Sequence, residues 1–176
     1  MVQIFKYTLS VFLLTSLLLG DISTGDNLPQ LVFRSTQGKL FFVNDYVGEA
    51  RMLNASAERI PVVLIFFRSD DHSSINWLPG LAKKGKESKI KIFFIAVDES
   101  GEAISNFRKT NKLRAAFLID KYGSSAEQLD LLPIDRFSNA PTAVLVQQSG
   151  DVSHVFKDFT SKEISNIIES AKENLR

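Results

Sequence analysis

Five consecutive residues hold the densest chemistry of the chain: Asp70-Asp71-His72-Ser73-Ser74. They contain the types of a hydrolytic triad, with a hydroxyl nucleophile, an imidazole base and an orienting carboxylate. Sequence neighbours cannot supply that geometry, because the base must reach the nucleophile while a third group orients it. The other histidine, His154, falls on a predicted hairpin, where a solvated strand position accounts for it. Asp70, Asp71 and His72 could offer ligands to a hard cation. Three ligands on one tight turn seldom converge and no fourth is identifiable, so no metal site is expected. A helix start after these residues would favour negative charge and present free backbone N–H groups. It would hold the Asp71 carboxylate, or use Ser73 or Ser74 as a cap. Capping residues with no further role are the simpler account.

The chain has no cysteine. Disulfide exchange by its own residues is therefore excluded, since the nucleophile in that reaction is a thiolate. A zinc site would be restricted to carboxylates and the two histidines. The 21 basic and 20 acidic residues balance, so no global field favours nucleic acid or an anionic membrane. No cofactor is expected. A basic cluster, Lys83, Lys84, Lys86, Lys89 and Lys91, falls at and beyond a predicted helix C-terminus. The helix dipole favours cations there, and a solvated face explains them; an acidic partner or a membrane surface is the alternative.

The elements that must position the Asp70–Ser74 stretch begin after a distinct N-terminus. Lys6 precedes an apolar run from Tyr7 to Leu19. About thirteen residues suit the core of a signal peptide and fall short of the roughly twenty needed to span a membrane. Small residues follow at Gly20, Ser23 and Gly25, and cleavage is expected after Gly25. Residues 1–25 are read as a signal peptide or, uncleaved, an N-terminal membrane tether. Residues 26–176 are read as one exported domain, periplasmic or otherwise extracytoplasmic. Roughly 150 residues can bury about two-thirds of their unfolded surface without disulfides.

Within that domain Leu31–Arg34 and Leu40–Val43 flank a polar, glycine-containing stretch and predict a hairpin. Pro61–Phe67 is a continuous apolar run, as expected of a strand covered on both faces, and Lys91–Val97 reads as a second buried strand. Between them Ile75, Leu78, Leu81 and Ala82 have helical spacing. Ser100 starts a helix bearing Ala103, Ile104 and Phe107. Ala115–Ile119 predicts a short strand, and Ser124–Leu132 a short helix. Pro141–Val146 and Val152–Phe156 flank Ser149-Gly150-Asp151 and predict a second hairpin. Thr160 and Glu163 form a cap before a helix with Ile164, Ile167, Ile168 and Ala171 on one face. This order implies an α/β domain with a mixed central sheet, flanking helices and an N-terminal β-hairpin.

That order, with Asp70–Ser74 at a helix start and a proline opening the third long strand, resembles the thioredoxin fold. Within it, residues from about Leu28 to Leu175 resemble the exported TlpA/ResA-type thiol-disulfide oxidoreductases. Members read approximately F-W-A-x-W-C-x-x-C-x-x-x-x-P. Aligning the proline with Pro79 places the two cysteines at Asp71 and Ser74, with His72 and Ser73 between them. Asp70 stands where the family has tryptophan, and Trp77 lies inside the helix. Ala140-Pro141-Thr142 matches the family's cis-proline segment, and Gln148–Asp151 its turn after that strand.

The resemblance implies a groove for extended chain between Asp70-Asp71-His72 and Ala140-Pro141-Thr142, with a protein or peptide as partner. It also implies a setting in envelope redox or cytochrome-maturation machinery. Without cysteines the expected role is binding or scaffolding, with no catalytic residue. The alternative is an enzyme with non-thiol chemistry at the Asp71–Ser74 helix start.

Overall fold

A computed structural model describes residues 22–48, 59–69, 77–88, 90–97, 99–131, 141–157, 159–160 and 163–173. Strand β3 (Val62–Phe67) is buried along its whole length. Val62, Leu64 and Phe66 enter one core while Val63, Ile65 and Phe67 enter the other. This alternation is why the strand reads as an unbroken apolar run: both faces of the sheet are covered. Strand β4 (Lys91–Val97) divides in the same way, with Ile92, Phe94 and Ala96 opposed to Phe93, Ile95 and Val97.

The other strands are β1 (Val32–Ser35), β2 (Leu40–Phe42), β5 (Phe117–Asp120), β6 (Thr142–Val146) and β7 (Val152–Phe156). They form one sheet of order β2-β1-β5-β4-β3-β6-β7. The β3–β4 and β4–β5 pairs are parallel and the others antiparallel. The mixed sheet and the N-terminal hairpin predicted above are both present. Four helices complete the described residues: α1 (Leu78–Glu87), α2 (Gly101–Thr110), α3 (Ser124–Gln128) and α4 (Ile164–Glu173). α1, α2 and α4 bury apolar residues in one core, including Leu81, Ile104 and Ile167. α3 and a short 3-10 turn at Val43–Asp45 serve the other, through Ala126 and Val43.

Most strands differ from expectation by one or two residues at an end, and two of the differing elements have a clear physical reason. α3 stops at Gln128 instead of Leu132, because Asp130 takes a left-handed conformation (φ 47°). The Asp130 N–H then reaches Glu127 O at 2.9 Å and the Leu131 N–H reaches Ala126 O at 3.0 Å, closing a Schellman turn. β5 runs from Phe117 to Asp120, one residue further than expected, in parallel register with Phe94–Val97.

The first described residues are tied to the sheet. The Ile22 N–H donates to Leu129 O at 3.4 Å, Thr24 Oγ1 to Ser153 O at 3.0 Å and the Gly25 N–H to Val152 O at 2.8 Å. Processing after Gly25 would remove all three bonds.

Ser100 caps α2 as its position implies, its hydroxyl accepting the Ala103 N–H at 3.1 Å. Ser100→Ala is expected to cost about 1 kcal/mol. Urea unfolding should show the midpoint fall with an unchanged slope, since the compactness of neither state is altered.

Candidate functional site

Ligands of open α/β sheets gather at the carboxyl ends of the parallel strands. Here that edge is formed by Phe67, Val97 and Asp120, the last residues of β3, β4 and β5. β6 runs antiparallel to β3 and places Thr142 opposite Phe66. Pro141, immediately before it, therefore stands at the same edge, next to the point where the chain leaves β3. Both Pro141 and Thr142 are buried. Asp70, Asp71, His72, Ser73, Ser74 and Ala140 lie outside the described residues, and with Ala140 the Ala140–Pro141 peptide bond.

The segment entering that stretch is held by a contact that local sequence patterns do not reveal. The Ser69 N–H donates to Glu99 Oε1 at 2.6 Å, and the Ser69 hydroxyl donates to Glu99 Oε2. Glu99 lies just beyond β4. The parallel β3–β4 register, with Phe67 opposite Ala96, brings it beside the end of β3. Each carboxylate oxygen accepts a hydrogen bond from Ser69, which fixes the chain just after it leaves β3.

Trp77 precedes α1 and is buried against Phe159, with ring centroids 5.0 Å apart. It anchors the start of α1 to the segment before α4. His154 is exposed on β7 and stacks on Phe156 at 5.7 Å, in keeping with its reading as a solvated strand residue.

Asp120, at the same sheet edge, is the second residue that sequence reasoning missed. It is 4% exposed, and its Oδ2 accepts the Ser125 and Ala126 N–H groups at 2.9 and 3.0 Å. The residue at the N-cap of α3 is Gly123, which has no side chain to offer. Asp120 supplies the capping carboxylate from three positions earlier. An aspartate shortly before a glycine and a serine pair was the available signal. Burial pushes the Asp120 carboxyl above the usual carboxylate range, against the opposing pull of the donors from Ala126, Ser125 and Ser124. Among the described residues no three histidine, aspartate or glutamate side chains form a metal-binding group.

The sheet order, the three parallel strands, the closing β6–β7 hairpin and α4 define a thioredoxin-like α/β protein. Solved structures share this fold. Peroxidoxin BcpB from Mycobacterium tuberculosis superposes with a TM-score of 0.68 at 15% identity, covering 88% of this chain and 99% of that one. A thiol:disulfide interchange protein of the thioredoxin family from Chlorobium tepidum gives 0.63 at 16% identity, covering 85% and 98%.

In sequence, the chain is similar to the thiol-disulfide oxidoreductase ResA of Bacillus thuringiensis subsp. konkukian. The two are 24% identical over 139 residues, 79% of this chain and 72% of the relative. No family model matches the chain. The chain thus resembles ResA-type thiol-disulfide oxidoreductases and lacks their C-x-x-C, having no cysteine at all.

Proposed function

We propose that this protein is an exported thioredoxin-like module that binds an extended protein or peptide segment without thiol chemistry. The observation that carries the reading is a combination: the scaffold keeps Pro141 and Thr142 beside the end of β3, while the chain contains no cysteine. Binding in a groove at this edge needs backbone groups and shape. Catalysis there would need a positioned base and a nucleophile as well, which is a larger demand on the same edge. Export rests on the apolar run at residues 7–19 and on the resemblance, and a role in envelope redox or cytochrome-maturation machinery rests on the resemblance alone.

The register is tested by restoring the pair. Asp71→Cys with Ser74→Cys is expected to form an intramolecular disulfide reducible by dithiothreitol, whereas the parent should show no turnover in insulin reduction. Absence of that disulfide in the folded double variant would remove the alignment of positions 71 and 74. The function is tested by affinity capture from the native envelope. Asp71→Ala with Ser74→Ala should retain the captured partner. Loss of a chemical turnover in that variant would instead favour an enzyme with non-thiol chemistry.

A further inference from the structure

A surface groove lies beside α1, on the face of the sheet that α1, α2 and α4 cover. α1 and the turn between α2 and β5 stand apart and leave an open groove of about 390 Å³. Sites for small molecules fall at roughly 300–1,000 Å³. Leu78, Ala82, Leu113 and Phe117 line its apolar base, where Leu78, Leu113 and Phe117 expose 1%, 8% and 3% of their surface. Lys83, Lys86, Lys112 and Arg114 stand around it, and none of its lining residues is acidic. Lys83 is bridged to Glu87 at 3.9 Å. Lys86, Lys112 and Arg114 make no ion pair among the described residues. An adjoining hollow of about 380 Å³ shares Ala82, Lys86, Arg114 and Ala115 and extends the groove toward Lys91. The lysine cluster of the sequence is therefore not only a solvated helix end, since part of it rims an apolar cleft together with residues from the distant α2–β5 turn.

The turn that supplies Lys112 carries a second observation. Its Lys112 N–H reaches Lys109 O at 3.2 Å and its Leu113 N–H reaches Arg108 O at 3.0 Å. This is a Schellman turn whose left-handed position glycine usually fills. Here lysine occupies it, at φ 53°. Glycine would close the same turn with less strain but would remove a cation from the rim.

We propose that this groove binds a small anionic amphiphile, a carboxylate carried on an apolar tail. The tail lies on Leu78, Ala82, Leu113 and Phe117, and the carboxylate meets Lys86, Lys112 and Arg114. Charge complementarity selects the anion, because three cations crowd an apolar floor with no carboxylate among them to offset their mutual repulsion. The apolar floor selects the tail, since burying it against these side chains removes hydrocarbon from water.

The test uses the intact protein and decanoate, followed by backbone amide NMR and calorimetry, with decanol and decyltrimethylammonium as neutral and cationic counterparts. Decanoate should shift resonances of α1 and the 111–116 turn and bind at least tenfold tighter than decanol, with no saturable binding of the cation. Lys86→Gln with Arg114→Gln should weaken decanoate at least tenfold. Lys112→Gly should weaken it several-fold while leaving the melting temperature unchanged or higher, which a purely structural role for Lys112 would not produce. Equal affinity for decanoate and decanol, shifts confined to another face, or unaltered affinity in Lys112→Gly would each overturn the proposal. Vesicles containing phosphatidylglycerol form a separate arm. Binding to them without binding of free decanoate would assign the cations to a membrane surface and likewise overturn it.

Discussion

Asp120→Ala is expected to destabilise the domain by about 2–4 kcal/mol, because it strands two buried N–H donors at once. The Ser125 and Ala126 N–H groups at the start of α3 have the Asp120 carboxylate as their acceptor, and Gly123 at the cap cannot replace it. Urea unfolding of the two proteins at one pH measures the difference; a loss under about 1 kcal/mol would mean that water satisfies these donors equally well. Asp120→Asn keeps an acceptor oxygen and separates the hydrogen bonds from the charge.

The pH dependence has a definite sign. Burial raises the folded-state pKa of Asp120 above its unfolded value, so the folded protein holds this proton more tightly than the unfolded chain. The resulting contribution is full below the unfolded pKa, declines as pH rises through the raised folded value, and is constant above it. The amide introduced by Asp120→Asn cannot titrate. The stability of that variant relative to its parent should therefore improve with rising pH across that window. Parallel stability curves for the two proteins would contradict the assigned shift.

Gly150→Ala is expected to cost about 2–4 kcal/mol, from a left-handed backbone that a Cβ disfavours and from overpacking. Gly150 has φ 96°, and a Cβ there would lie 3.0 Å from Gly48 Cα and 3.4 Å from Gly48 N. Both contacts are backbone and cannot rotate away. The turn is also bound in place: the Gly48 N–H donates to Gln148 O at 2.8 Å and the Leu28 N–H to Gly150 O at 2.9 Å. Gly38 serves as the comparison. It has φ 82°, and a Cβ added there would meet nothing within 4 Å. Gly38→Ala should therefore show only the conformational part, about 1–2 kcal/mol. Equal melting temperatures for the two variants would eliminate the Gly48 contact as a source of the difference.

Much of the scaffold was legible because its signals are local. Val62–Phe67 and Ile92–Val97 are apolar throughout, as strands buried on both faces require. Ser100 precedes an amphipathic run and caps it. The two hairpins are marked by glycine-containing turns. The failures were local signals overridden by conformation: nothing in Ser124–Leu132 announces that Asp130 turns left-handed and ends α3 early.

Two properties were written into the chain before any folding: the alternating layers of a thioredoxin-like sheet and the absence of thiol chemistry. The first follows from side-chain period and the second from composition, and neither depends on which distant residues meet. The remaining features exist only through long-range packing. Glu99 grips Ser69 across 30 positions, because parallel register sets the ends of β3 and β4 side by side. Pro141 reaches the end of β3 because β6 runs antiparallel to it. Lys86 and Arg114 share a groove because α1 and the α2–β5 turn cover the same face of the sheet. Each of these pairings depends on strand order and register, which emerge from the packing of the whole sheet and leave no mark at fixed spacing along the chain.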